Sequence, residues 1–143
     1  GFSIWQDVIK GLPHKVVGDT PGLSKPAAST EELVATYQNS RIFLNTSTIS
    51  PVPTALLEAM SSGCAVVSTE TCMIPEIINN EENGFMSNDP EKLKQYVIDL
   101  LNDEDLSENH LFFKAVLKTS FCIKTSHQNG TCQISPGQIE LKL

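Results

Sequence analysis

Residues 40–69 read SRIFLNTSTISPVPTALLEAMSSGCAVVST: an apolar run, a loop of small residues and prolines, a helical segment, and a second apolar run. RIFLN (41–45) and AVVST (65–69) have the length and the β-branched content of buried strands. Between them, Thr54 can cap a helix and Gly63 can end it. That helix is apolar almost all the way round, and a helix of this kind is normally buried. It nevertheless carries one carboxylate, Glu58, set among Leu56, Leu57, Ala59 and Met60. A buried carboxylate is costly unless it is paired or hydrogen-bonded. Glu58 therefore either occupies a narrow solvated edge or faces a ligand.

The same alternation extends in both directions. KVVG (15–18) and GFMS (84–87) read as further strands. STEELVATYQNS begins with Ser29 and Glu32 in capping-box spacing, and Leu33, Val34 and Tyr37 form its apolar stripe. IPEIINN places Pro75 in a first helical turn. DPEKLKQYVIDLLND opens with Asp89 as cap and Pro90 behind it, and gathers Leu93, Tyr96, Val97, Leu100 and Leu101 on one face. Strands alternating with helices predict an α/β fold, a Rossmann-like parallel sheet of about four strands within residues 13–105, covered by helices on both faces.

Past residue 105 the character changes. Residues 1–105 carry a net charge of −9 and residues 106–143 carry +2, within a total of −7. The expected organisation is a partial Rossmann-like layer over 1–105 and a divergent tail over 106–143. The tail is expected to be loosely attached, to start as a helix and to turn at Asn129-Gly130 as a type I′ hairpin.

With 143 residues, 40% hydrophobic and 19% charged, the chain has the size and composition of one soluble domain. Its acidity and its single arginine, Arg41, argue against nucleic-acid binding, which needs clustered basic side chains. Cys64, Cys72, Cys122 and Cys132 form no metal-ligand spacing, and His14, His110 and His127 are scattered, so no metal is expected. Cys64 and Cys72 lie in or beside apolar patterns, which predicts buried free thiols in a reducing, cytoplasmic compartment. No apolar run is long enough to span a membrane. GFSIWQDVIKG lacks the basic and apolar regions of a signal peptide and reads as sequence from inside a longer protein.

In open parallel sheets, ligands bind beyond the carboxyl ends of the strands. Three such ends are rich in small polar residues: Gly18-Asp19-Thr20, Asn45-Thr46-Ser47 and Ser68-Thr69-Glu70. The second leads into the Glu58 helix, whose first amides, on Thr54, Ala55 and Leu56, would sit at the positive end of the helix dipole and suit a diphosphate. Glu58, one turn further in, would accept hydrogen bonds from a sugar's hydroxyls. An ordinary strand-to-helix turn shares some of these features, and the residues alone leave both readings open.

The run from PTALLEAMSSGCAVVST through IPEII and NGF resembles the donor-binding half of a group 1 (family 4) glycosyltransferase of the GT-B fold. The likeness covers residues of roughly 13 to 105 and continues into the LKQYVIDLLND helix. It implies that Glu58 matches the glutamate that binds the ribose of a nucleotide sugar. Thr54, Ala55 and Leu56 then match the amides that hold the diphosphate. The family's other glutamate, which contacts the donor sugar, is replaced by Ser50. KVVGD matches the strand whose following loop reaches the base, so Gly18 and Asp19 join the candidate site.

The resemblance further implies transfer of a sugar from a nucleoside diphosphate sugar to an acceptor, with retention and without a metal or other cofactor. It also implies a separate N-terminal acceptor domain or partner chain, absent from this sequence, and peripheral membrane association of the complete enzyme. The family's phosphate-binding Arg and Lys have no counterpart here, so the isolated chain is expected to be inactive. A non-catalytic nucleotide-sugar-binding module that needs a partner chain is the second reading. A nucleotide-sugar epimerase is a third, for which no residue here speaks.

Overall fold

The computed structural model describes residues 1–19, 21–49, 51, 53–102 and, for the backbone, 139–141. The order of elements is α1 (Phe2–Ile9), β1 (Lys15–Val16), α2 (Thr30–Gln38), β2 (Ile42–Asn45), α3 (Thr54–Ser62), β3 (Ala65–Ser68), α4 (Ile74–Ile77), β4 (Phe85–Met86), α5 (Pro90–Asn102) and β5 (Ile139–Leu141). All pairings are parallel, in the order β1-β5-β2-β3-β4. Ile42 lies opposite Ala65 and Asn45 opposite Ser68, so the two runs of the 40–69 segment are neighbours in register.

The β2 and β3 side chains alternate between two cores, as a strand's period of two requires. Ile42, Leu44, Ala65 and Val67 pack with Trp5, Val8, Ile9, Leu93, Val97 and Leu100, beneath α1 and α5. Phe43 and Val66 pack on the other face with Tyr37, Leu56, Ala59, Met60, Ile74 and Ile78, beneath α2, α3 and α4. Every residue of both strands is buried, which explains the unbroken apolar runs in a sheet covered on two faces.

Local signals account for three of the helix ends. Ser29 Oγ accepts from the Glu32 amide at 3.2 Å, while Glu32 Oε2 accepts from the Ala28 amide at 2.6 Å, one residue before the position a strict capping box would use. Gly63 closes α3 with φ 90°, a left-handed conformation that favours glycine. Asp89 Oδ1 accepts from the Glu91 amide at 2.9 Å and starts α5.

Some expectations fail in detail. Thr54 does not cap α3: it is the first helical residue, and Pro53 holds the cap position with no side-chain bond. Val34 points outward at 40% exposure, and Thr36 is buried in its place, its hydroxyl donating to the Glu32 carbonyl at 2.7 Å. A polar residue that satisfies itself on its own helix can occupy an inward position at little cost. Cys64 is a buried free thiol, but Cys72 is exposed, on the loop after β3 rather than in its pattern.

Helix α1 had no counterpart in the strand-and-helix reading. It presents Trp5, Val8 and Ile9 at helical spacing and packs on α5. Of the segment beyond residue 105, Ile139–Leu141 are a strand inside the sheet rather than a loose appendage. The start of the tail and the Asn129-Gly130 turn lie outside the described residues.

Candidate functional site

The carboxyl ends of β2 and β3 are joined by a polar network. Asn45 Nδ2 donates to Ser68 Oγ at 2.9 Å, and the Ser68 hydroxyl donates to the Thr69 carbonyl at 2.9 Å. Thr69 and Thr71 hydroxyls both donate to the Ser47 carbonyl, at 2.6 and 2.9 Å, and the Ser47 amide donates to Asn45 Oδ1 at 3.3 Å. Asn45, Thr46, Ser68 and Thr69 are buried. Buried polar groups persist only when their bonds are made, and here they fix the two strand ends against each other. The loop from Thr46 to α3 therefore leaves a rigid platform. Gly1, at the start of α1, abuts the same place, because a Cβ there would collide with the Thr46 carbonyl. The amino end of α1 thus meets the carboxyl end of β2, from which the chain leads on to α3.

Thr54 is exposed and Ala55 half-buried at the start of α3, and no side chain among the described residues caps that end. Leu56 is fully buried in the core, and its amide donates back to the Pro53 carbonyl at 2.9 Å. Leu56 thus serves the helix's first turn, and Thr54 and Ala55 are the amides best placed at the positive end of the dipole.

Glu58 is half-buried rather than enclosed by leucines. Leu57 beside it is 44% exposed, which opens the edge that the helical wheel concealed. The carboxylate does have a specific partner: the Tyr37 hydroxyl donates to Glu58 Oε2 at 3.0 Å. Tyr37 is 2% exposed, so a group anchored in the core steers one oxygen of a carboxylate that water can still reach. The sequence reading assigned Tyr37 only to a packing stripe. Its pairing with Glu58 spans 21 residues and two helices, and only a tyrosine on the inward face of α2 hints at it.

Gly18 and Asp19 follow β1, two strand positions from β2, and so stand about 10 Å from it across the sheet. The Gly18 amide donates to the Lys25 carbonyl at 3.2 Å, and the Gly18 carbonyl accepts from the Ser24 hydroxyl at 2.8 Å. These bonds tie Gly18 into its own loop, and Asp19 is exposed. The structure therefore brings Thr54, Ala55, Leu56 and Glu58 together on one helix and sets Gly18 and Asp19 apart. Ser50 lies outside the described residues. Among the described residues, no three His, Cys, Asp or Glu side chains converge on one point.

The family model described as glycosyl transferases group 1 matches residues 25–110, more than half of the chain. Among solved structures, the chain is similar to the C-terminal domain of a glycosyl transferase group 1 family protein (LpcC) from Francisella tularensis. The TM-score is 0.55 at 24% identity, over 71% of this chain and 55% of that one. The chain thus spans about half the length of that domain, and at this identity the likeness speaks for the fold. No curated protein matches the chain.

Proposed function

Since the chain belongs to the group 1 glycosyltransferases, we propose that it is the nucleotide-sugar-binding part of an enzyme that transfers a sugar from a nucleoside diphosphate sugar to an acceptor. The observation that carries this reading is the arrangement on α3. Its uncapped first amides lie at the carboxyl end of β2, and a half-buried carboxylate sits one turn behind them, held by Tyr37. A diphosphate would be held by the Thr54 and Ala55 amides, and the ribose hydroxyls would donate to Glu58. Charge developing on the departing diphosphate would be stabilised by those oriented dipoles, which need no reorganisation during reaction. Retention at the sugar carbon and independence from metals and other cofactors belong to the same reading.

Gly18 and Asp19 would approach the base, and Ser50 the donor sugar. An N-terminal acceptor-binding domain or partner chain would supply the remaining phosphate ligands and the acceptor. The work would be done in the cytoplasm, with the complete enzyme associated peripherally with a membrane. The described residues hold no helix long and apolar enough to cross a membrane.

The test is a titration of the isotope-labelled chain with nucleoside diphosphates at millimolar concentration, followed by amide chemical shifts. Shifts at Thr54 and Ala55, reduced more than tenfold in affinity by Glu58→Gln, are expected, since a charged acceptor contributes roughly 1.5–3 kcal/mol. Saturable binding that leaves the start of α3 untouched would refute the assignment. Turnover of a nucleotide sugar by the purified chain would overturn the view that it needs an acceptor domain.

A further inference from the structure

Asn88, on the loop between β4 and α5, grips the backbone of a single residue on the neighbouring loop. Its Oδ1 accepts from the Glu70 amide at 3.0 Å, and its Nδ2 donates to the Glu70 carbonyl at 3.0 Å. Just before it, the Ser87 amide donates to the Ser68 carbonyl at 3.1 Å, as a β4 continued along β3 would do. The chain then turns away into α5, with the Asp89 amide on Ser87 Oγ at 3.0 Å. The Asn88 carboxamide therefore stands in for the peptide group that a longer strand would have offered to Glu70.

Glu70 lies between the two threonines that hold the loop after β2. The Thr69 and Thr71 hydroxyls, at 2.6 and 2.9 Å, occupy both lone pairs of the Ser47 carbonyl oxygen. Further on, the Met73 amide donates to the Pro51 carbonyl at 3.2 Å. The 69–73 segment thus holds the loop that delivers the chain to α3 at Ser47 and again at Pro51. Between these anchors Cys72 has φ 51°, a left-handed conformation uncommon for a residue with a side chain. Such a backbone persists only where the bonds around it over-determine its path.

We propose that Asn88 is a positioning residue for the amino end of α3. Through Glu70, Thr69 and Thr71 it sets the loop that aims the Thr54 and Ala55 amides. β4 stands two strand positions from β2, about 10 Å across the sheet, so Asn88 acts through the loop after β3 rather than on a ligand. The consequence for diphosphate binding rests on the function proposed above, whereas the relay itself exists in the ligand-free chain.

A relay in series has its own signature: breaking it at two points costs little more than breaking it at one. Amide chemical shifts of the ligand-free chain are the first readout. Asn88→Ala should shift the Ser47, Thr54 and Ala55 amides, and Thr71→Val should shift the same three. Thr71→Ser, which keeps the hydroxyl, should restore the original positions. The double variant should show shifts smaller than the sum of the singles. If Asn88→Ala prevents folding, Asn88→Asp, which keeps the acceptor for the Glu70 amide and loses the donor, takes its place with the same expectation. Inorganic pyrophosphate, titrated into the chain, gives the second readout, and Asn88→Ala should weaken its binding at least about threefold. Where the unsubstituted chain binds no pyrophosphate at α3, the functional reading falls and the ligand-free shifts alone decide the relay. Unmoved Thr54 and Ala55 amides, shifts in the double variant equal to the sum of the singles, or pyrophosphate bound equally well by Asn88→Ala would each overturn the proposal.

Discussion

Glu58 and Tyr37 form a pair whose coupling can be measured without any ligand. Tyr37→Phe removes only the hydroxyl and keeps a ring that is 2% exposed in the core. A hydrogen bond to a charged group contributes about 1.5–3 kcal/mol when both partners are withdrawn from water. Glu58 is half-buried, so water replaces the lost donor on the carboxylate and brings the cost down to about 1 kcal/mol. Glu58→Gln keeps an acceptor but removes the charge, which roughly halves the strength of such a bond. It should therefore cost somewhat less than Tyr37→Phe, where burial among leucines alone would have made the substitution neutral or stabilising. The double variant should be less destabilised than the sum of the two singles, with a coupling of about 0.5–1 kcal/mol. Urea unfolding followed by circular dichroism resolves this, with an expected fall in melting temperature of about 3–5 °C for Tyr37→Phe. Strictly additive single effects would show that the 3.0 Å contact carries no energy, and the positioning of Glu58 would need another cause.

Other outcomes are expected elsewhere in the chain. Asn45→Ala removes the side chain that bridges Ser68 and the Ser47 amide, and should destabilise by about 1–3 kcal/mol by leaving a buried hydroxyl short of a partner, as read in urea. Iodoacetamide should label Cys72 in the native chain and spare Cys64 until it unfolds, as mass spectrometry of the two peptides would show. The Glu31 carboxyl, at the first turn of α2, is held below the ordinary carboxylate range, first by a bond to its own backbone amide and then by the Ser29 hydroxyl. Its contribution to α2 is therefore complete above the carboxylate's unfolded pKa and lost as pH falls through the lower folded value. Ser29→Ala should move the Glu31 titration upward, toward the ordinary range, in a carbon-detected pH titration.

Strands β1 to β4 and helices α2 to α5 were legible because each carries a local instruction. β2 and β3 are continuous apolar runs flanked by small polar residues, which is what a strand buried on both faces must be. Ser29, Gly63 and Asp89 act on their own backbone neighbours, within reach of any sequence reading. What stayed hidden is non-local. Helix α1 depends on packing Trp5, Val8 and Ile9 against α5, at the far end of the described core. Tyr37 and Glu58 meet because two helices lie side by side on one face of the sheet, and no spacing rule encodes a contact between helices. The exposure of Glu58 was misjudged because a helical wheel counts apolar neighbours but not whether Leu57 points to water. Placing β5 between β1 and β2 is the extreme case. Hydrogen-bond pairing within a sheet depends on which edges stand open once the helices have packed, and three residues of strand carry no signal that names their neighbours.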